Sequence, residues 1–137
     1  MSSMLVNQSV AHPWECDVQG HLTTRFYVAR FDDASYHFLT RAFGANAPGL
    51  GWADVRHEID YHAEVAAGDL LEVHGTLMRM GGKSVQVRYS MRRLADQATV
   101  AVQLSTSVLF DLEARKAVAL TETMRASAKP WLHDGDD

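Results

Sequence analysis

The sequence predicts an α+β domain, a curved antiparallel sheet wrapped around one long central helix. Three observations predict it. Apolar residues recur at spacings of three and four over residues 24–43. From residue 55 the period changes to two and holds through four successive segments. The stretches "AAGD", "MGGKS" and "LADQA" separate those segments as short turns.

In chain order, residues 4–12 alternate weakly and read as a strand ending near Trp14. The helix over 24–43 carries Tyr27, Phe31, Ala34, Phe38 and Ala42 on one face, with Val28, Leu39 and Phe43 beside them. Arg30, Asp33, His37 and Arg41 form a polar stripe at the same spacing, and Gly44 is the expected stop. "GANAPGLGWAD", residues 44–54, reads as a loop within one domain. In "VRHEIDYHAEV" the residues Val55, His57, Ile59, Tyr61, Ala63 and Val65 share one face. Strands follow over 70–80, over 85–92 and over 100–110. In the last, Val100, Val102, Leu104, Val108 and Phe110 oppose Gln103, Ser105 and Ser107. Residues 116–127 read as a short strand and a helical turn, and 130–137 as a frayed tail. Short turns between consecutive strands imply an antiparallel meander. Such a sheet leaves its edges open, so a homodimer is expected.

Composition narrows the function classes. The 137 residues, 47% hydrophobic and 22% charged, suit one domain spanning 1–137. A net charge of −4 without any basic block argues against a nucleic-acid partner. Cys16 is the only cysteine, so no intrachain disulfide forms, which fits a reducing compartment. The N-terminus lacks a basic and an apolar signal region, and no apolar run approaches the roughly 20 residues of a membrane span. The expectation is a cytoplasmic protein with no membrane partner. His12, His62, His74 and His133 show no metal-ligand spacing, so no metal is expected.

The chemistry-bearing stretch is "ECDVQGHLTT", residues 15–24, just before the helix. Thr23 or Thr24 can cap the helix, and Gly20 permits a tight turn or a close approach to the backbone. A helix N-terminus offers unpaired N–H donors and partial positive charge. Asp17 supplies a carboxylate a few residues upstream. Acyl transfer needs a nucleophile, or a base that activates water, and donors aimed at the developing oxyanion. The stretch has the parts of an ester or thioester hydrolysis site. The same residues also serve as ordinary turn and cap chemistry, and spacing alone does not separate the two readings.

A resemblance separates them. "WECDVQGHLTTRFYVARFDDA" resembles the acyl-CoA thioesterases of the hotdog fold, the 4-hydroxybenzoyl-CoA thioesterase type above all, whose signature runs approximately D-x-D-x-x-G-H-V-N-x-x-x-Y into a long helix. Glu15 stands at the first acid, Asp17 at the second, then Gly20, His21, Leu22 and Tyr27. "YHAEVAAGDLLEV" and "MGGKSVQVRYSM" are similar to two further stretches of that family, and the matches span most of 5–112. The resemblance implies that Asp17 is the catalytic nucleophile or general base. It places the backbone N–H of Thr24 at the oxyanion, and gives His21 the role of orienting the carboxylate or touching the thioester. It also implies sites built at dimer interfaces and coenzyme A as part of the substrate, with no separate cofactor. Thr23 departs from the signature's Asn, and Glu15 is one methylene longer than its Asp.

Other residues carry two readings each. Gly20 and Tyr61 join the expected substrate site through the motifs. His57, on the apolar face beside Ile59 and Tyr61, is either a buried histidine bonded to backbone or part of an acyl pocket facing the helix start. Lys83 and Ser84 in "GGKS", near Arg79, Arg88 and Arg92, either meet the phosphates of coenzyme A or lie on a solvated strand face. Leu50 and Trp52 in the 44–54 loop are expected to shape the acyl side. Three functions stand: acyl-CoA thioester hydrolysis, hydration or dehydration of an acyl thioester by Asp17 and His21, and acyl-CoA binding without turnover. In each, the protein is expected as a dimer or tetramer.

Overall fold

A computed structural model describes residues 2–44 and 48–134. Strand β1 (Ser3–Val10) leads through a short 3-10 turn at Pro13–Glu15 to helix α1 (Thr24–Phe43). Strands β2 (Leu50–Tyr61), β3 (Leu70–Met80), β4 (Ser84–Arg93) and β5 (Ala98–Asp111) follow. The two-residue β6 (Lys116–Ala117) and helix α2 (Glu122–Ala128) close the chain.

All strand pairs are antiparallel, in the order β1-β3-β4-β5-β2, with β6 on β5. The expected meander holds from β3 to β5 and fails at β2. That strand leaves its sequence neighbour and pairs with β5 at the opposite edge. "AAGD" is therefore no hairpin turn. Residues 62–69 cross from β2 at one edge to β3, the strand next to the opposite edge, tied down where Leu22 N–H donates to Val65 O at 2.8 Å and Gly68 N–H to Ala11 O at 2.7 Å. Strand β2 also begins at Leu50, not 55, so Leu50 and Trp52 lie on a strand; residues 45–47 of the expected loop lie outside the described residues. The first strand ends at Val10, short of Trp14. The tail is held as far as His133, whose N–H donates to Leu77 O at 2.7 Å where β1 no longer covers β3.

Helix α1 runs for 20 residues and packs on β1 and β3, less on β4. It lies toward one half of the sheet, so in the single chain it is not central. The inward rows explain the offset. Val73, Leu77, Val85, Val87 and Met91 give β3 and β4 a buried apolar floor, whereas the inward row of β5 is polar in its middle, with Gln103, Ser105 and Ser107 between Ala101 and Leu109. An apolar helix gains most over the apolar half, at roughly 25 cal/mol per Å² buried. Gly75 lets it settle there. A Cβ at that position would stand 2.6 Å from Phe38 Cδ2. One residue of the polar stripe also departs from expectation: Arg30 is 6% exposed, buried under β1.

Candidate active site

The segment 16–22 is a tight hairpin. Asp17 N–H donates to His21 O and Gly20 N–H to Asp17 O, both at 2.9 Å, and Cys16 pairs with Leu22. Gly20 sits at φ +80°, a left-handed turn that glycine adopts without penalty. The Asp17 carboxylate accepts from Gln19 N–H at 2.9 Å and His21 N–H at 3.3 Å, and the residue is exposed at the hairpin tip. Helix α1 starts two residues after the hairpin. Thr23 is its N-cap residue, but its side chain makes no capping bond. The first-turn N–H groups thus lack the side-chain partner that helix starts usually have.

A groove of about 360 Å³ opens at this helix start, walled by His21, Thr24, Tyr27, Tyr61 and Glu64. Tyr27 and Tyr61 meet edge to face at 5.0 Å. Burial raises the Tyr27 hydroxyl pKa above its ordinary value, and the neighbouring Tyr61 adds to the rise. His21 Nε2 lies 3.2 Å from Glu64 Oε2. The spacing of motifs did not point to Glu64. It arrives through the tertiary pairing of His21 with Ala66, for which the sequence carries no local signal.

The hairpin is braced from behind. Arg30 Nη2 donates to Glu15 Oε1 at 2.7 Å and to Val10 O at 2.9 Å; Nη1 donates to Glu15 Oε2 at 3.2 Å, and Nε to Ser9 Oγ at 2.8 Å. His12 N–H also donates to Glu15 Oε1 at 2.9 Å. The Arg30 guanidinium, foremost, holds the Glu15 carboxyl below its usual range.

The remaining sequence candidates lie apart from this groove. His57 is on the inward face of β2, where its Nε2 lies 3.5 Å from Asp54 Oδ2. Asp54 Oδ1 accepts from the buried Ser107 hydroxyl at 2.7 Å. A second and larger groove, about 420 Å³, runs beside them between α1 and β2, lined by Ser35, Tyr36, Leu39, Trp52 and Asp54. Lys83 sits in the β3–β4 turn and Ser84 opens β4, and α2 covers that turn: Arg125 donates to Gly81 O, while Ser127 Oγ donates to Ala42 O at 2.9 Å near the end of α1. That is the far end of the helix, about 30 Å from Thr24 at 1.5 Å per residue. One chain therefore gathers Asp17, Gly20, His21, Thr24 and Tyr61 at one end and leaves His57, Lys83 and Ser84 elsewhere. Among the described residues no cluster of three or more His, Cys, Asp or Glu could hold a metal ion.

A profile of the thioesterase-like superfamily matches residues 11–128. The chain belongs to the thioesterase-like superfamily. By that membership it is a thioester hydrolase. Solved structures share its fold at low identity. A Staphylococcus aureus hypothetical protein, SAV2348, determined in complex with CoA, is 13% identical with a TM-score of 0.84, over 96% of this chain and 85% of that one. YbaW, a probable thioesterase from Escherichia coli, is 22% identical with a TM-score of 0.75, over 93% of this chain and 98% of its own. Slr0204, a 1,4-dihydroxy-2-naphthoyl-CoA thioesterase from Synechocystis, is 15% identical with a TM-score of 0.78, over 93% and 96%. No curated protein matches. The superfamily match includes both the hairpin that carries Asp17 and the 62–69 crossing that carries Glu64. The solved structures share with this chain a sheet-and-helix frame consistent with the hotdog arrangement. No helix among the described residues is long and apolar enough to cross a membrane.

Proposed function

We propose that the protein hydrolyses an acyl-CoA thioester to the free acid and coenzyme A at the start of α1. One observation carries the reading: the His21 imidazole and an uncapped helix start line a single groove, and His21 closes the hairpin whose exposed tip carries the Asp17 carboxylate. In the hydrolysis, the oxygen of water adds to the thioester carbonyl carbon and Asp17 takes the water's proton. The resulting oxyanion is held by the Thr24 N–H. The C–S bond then breaks with its electron pair going to sulfur, and the thiolate leaves and takes the proton. The alternative order has Asp17 add first, giving an anhydride that water later opens. Both use the same residues, and neither calls for a cofactor beyond the coenzyme A of the substrate.

The second chain enters for a geometric reason. Strand β2 is a 12-residue edge paired on one side only, the kind of edge that folded proteins cover. Antiparallel pairing of two such edges continues the sheet, encloses α1 between two halves, and completes the hotdog arrangement. It also sets the helix start of one chain beside the Trp52 end of its partner. Lys83 and Ser84 of the partner subunit, which lie toward that end of the sheet, are then placed to meet the coenzyme A phosphates. The protein acts in the cytoplasm as a dimer or a pair of dimers.

A panel of short, aromatic and charged acyl-CoAs, read by free-thiol release, tests the reading. The wild-type protein releases thiol from at least one, and Asp17→Asn, folded by circular dichroism, loses about 10²-fold or more in kcat. Near-wild-type turnover by Asp17→Asn removes the carboxylate from the mechanism. Loss of enoyl absorbance without thiol release replaces hydrolysis by hydration.

A further inference from the structure

We infer that Glu64 is a positioning residue that holds the His21 imidazole in one tautomer and one orientation for the hydrolysis; the inference rests on the reading just given. His21 Nε2 and Glu64 Oε2 are 3.2 Å apart on the wall of the groove at the helix start. The Glu64 side chain is 77% exposed, and an exposed pair of this kind adds little to stability, about 0–1 kcal/mol. Yet the backbone that presents it is fixed on every side. Leu22 N–H donates to Val65 O at 2.8 Å, and His21 pairs with Ala66 across an antiparallel bridge. Ala66 N–H donates to Asp69 Oδ2 at 2.9 Å. Arg93 donates from Nη1 to the Glu64 carbonyl oxygen. Asp96 grips that same guanidinium through Nε at 3.1 Å and Nη2 at 2.8 Å, a contact strong enough to bring the Asp96 carboxyl down to about 2.

That fixation ties down the crossing, but the solvent-facing carboxylate it presents has little of its own to offer the fold. It has much to offer an imidazole that must point one way. A neutral histidine carries one N–H and one lone pair, and the partner of one nitrogen sets the state of the other. With the proton on Nε2 donated to Glu64, the lone pair is on Nδ1. That nitrogen then accepts a hydrogen bond, from the attacking water or from the protonated Asp17 carboxyl, without a tautomer change in the reaction. The same frame ties the 62–69 crossing to the hairpin, so the carboxylate and the imidazole move as one unit.

A double-mutant cycle in kcat, with the best acyl-CoA of the panel and thiol detection, tests this. Glu64→Ala is expected to lower kcat about 10- to 100-fold with KM changed less than about threefold, the scale of a misoriented catalytic group. Glu64→Gln keeps an oxygen acceptor for Nε2–H and is expected to recover at least half of that loss on a logarithmic scale. In a His21→Ala background, Glu64→Ala is expected to cost no more than about twofold. An equal loss in both backgrounds, or none in either, overturns the positioning role. So does failure of Glu64→Gln to improve on Glu64→Ala when both melt with the wild type. If the wild-type protein releases no thiol from any acyl-CoA, the hydrolase reading fails with it; if only the cycle is additive, hydrolysis stands and the role of Glu64 does not.

Discussion

Helix α1 has two unlike margins. Along β1 it is sewn down by polar bonds. Arg30 reaches Ser9, Val10 and Glu15, while Arg41 Nη1 reaches Leu5 O at 2.9 Å. Along β2, among the described residues, its ring contacts lie near its ends, Tyr27 against Tyr61 and Phe43 against Trp52 at 5.1 Å. Between those contacts the margin is open, with Tyr36 70% exposed and a groove beneath it. The inward rows differ in the same sense, apolar under the closed margin and polar through the middle of β5 at the open one. The closed margin fixes the frame on which the hairpin of Asp17 stands. The open margin is where a ligand and a second chain have room.

Removing Arg30 should break this contrast most. Arg30→Ala leaves the half-buried Glu15 charge without its partner and is expected to cost about 3 kcal/mol in urea unfolding. Tyr36→Ala, on the open margin, is expected to stay within about 0.5 kcal/mol. If the two variants cost the same, the margins are not distinct in the way described.

The next effect lies at the junction of the margins, the helix start. Proline is tolerated at the first helical position, where no intrahelical bond is lost. Thr24→Pro therefore deletes one N–H and little else. An oxyanion donor at that atom predicts a loss of about 10² to 10³ in kcat, with KM much less affected. A folded variant with unchanged kcat assigns the oxyanion to another donor.

Acid sensitivity sharpens the closed margin further. The folded-state pKa of Glu15 lies below its ordinary value of 4.5, chiefly through its bond to Arg30. A depressed carboxylate contributes stability that is fully present above the unfolded value and is lost as pH falls through the folded one. Wild-type protein should therefore lose its advantage over Glu15→Gln as pH drops below about 4.5. A stability gap that stays constant down to pH 3 places the acid response in other carboxylates.

How much of this was legible in the sequence follows from range. Helix α1 was read to its ends because its signal is local: a period, a glycine stop and threonines at the start. The hairpins joining β3, β4 and β5 were legible for the same reason. The place of β2 was not. "AAGD" has the composition of a hairpin turn, and only the pairings of Val65 with Leu22 and of Gly68 with Ala11 show that the chain travels across the sheet instead. Arg30 misled because a charge on a helical stripe is usually solvated; its burial depends on Glu15, fifteen positions earlier. The site divides likewise. Asp17, Gly20, His21 and Thr24 fall within one short stretch, so motif spacing nominates them. Glu64 reaches His21 only through the crossing, and no periodicity records that.

His57 gives the smallest expected effect and the finest test of the open margin. The sequence left it either buried and bonded to backbone or facing an acyl pocket. It lies on the inward face of β2 opposite Ser105, beside Asp54, with its side chain 30% exposed. It is thus neither sealed in the core nor at the helix start of its own chain. Two occupants compete for the space it borders. If an acyl group enters the groove between α1 and β2, His57→Ala removes a polar wall and should shift preference toward apolar acyl groups by about tenfold in kcat/KM, leaving kcat on the best substrate intact. If a second β2 edge fills that space, the variant should instead weaken the dimer in sedimentation and leave the acyl preference flat. Seeing both at once means the pocket and the pairing surface share this strand. A change in neither removes His57 from function and leaves Asp54, held by Ser107, as the polar group that the open margin presents.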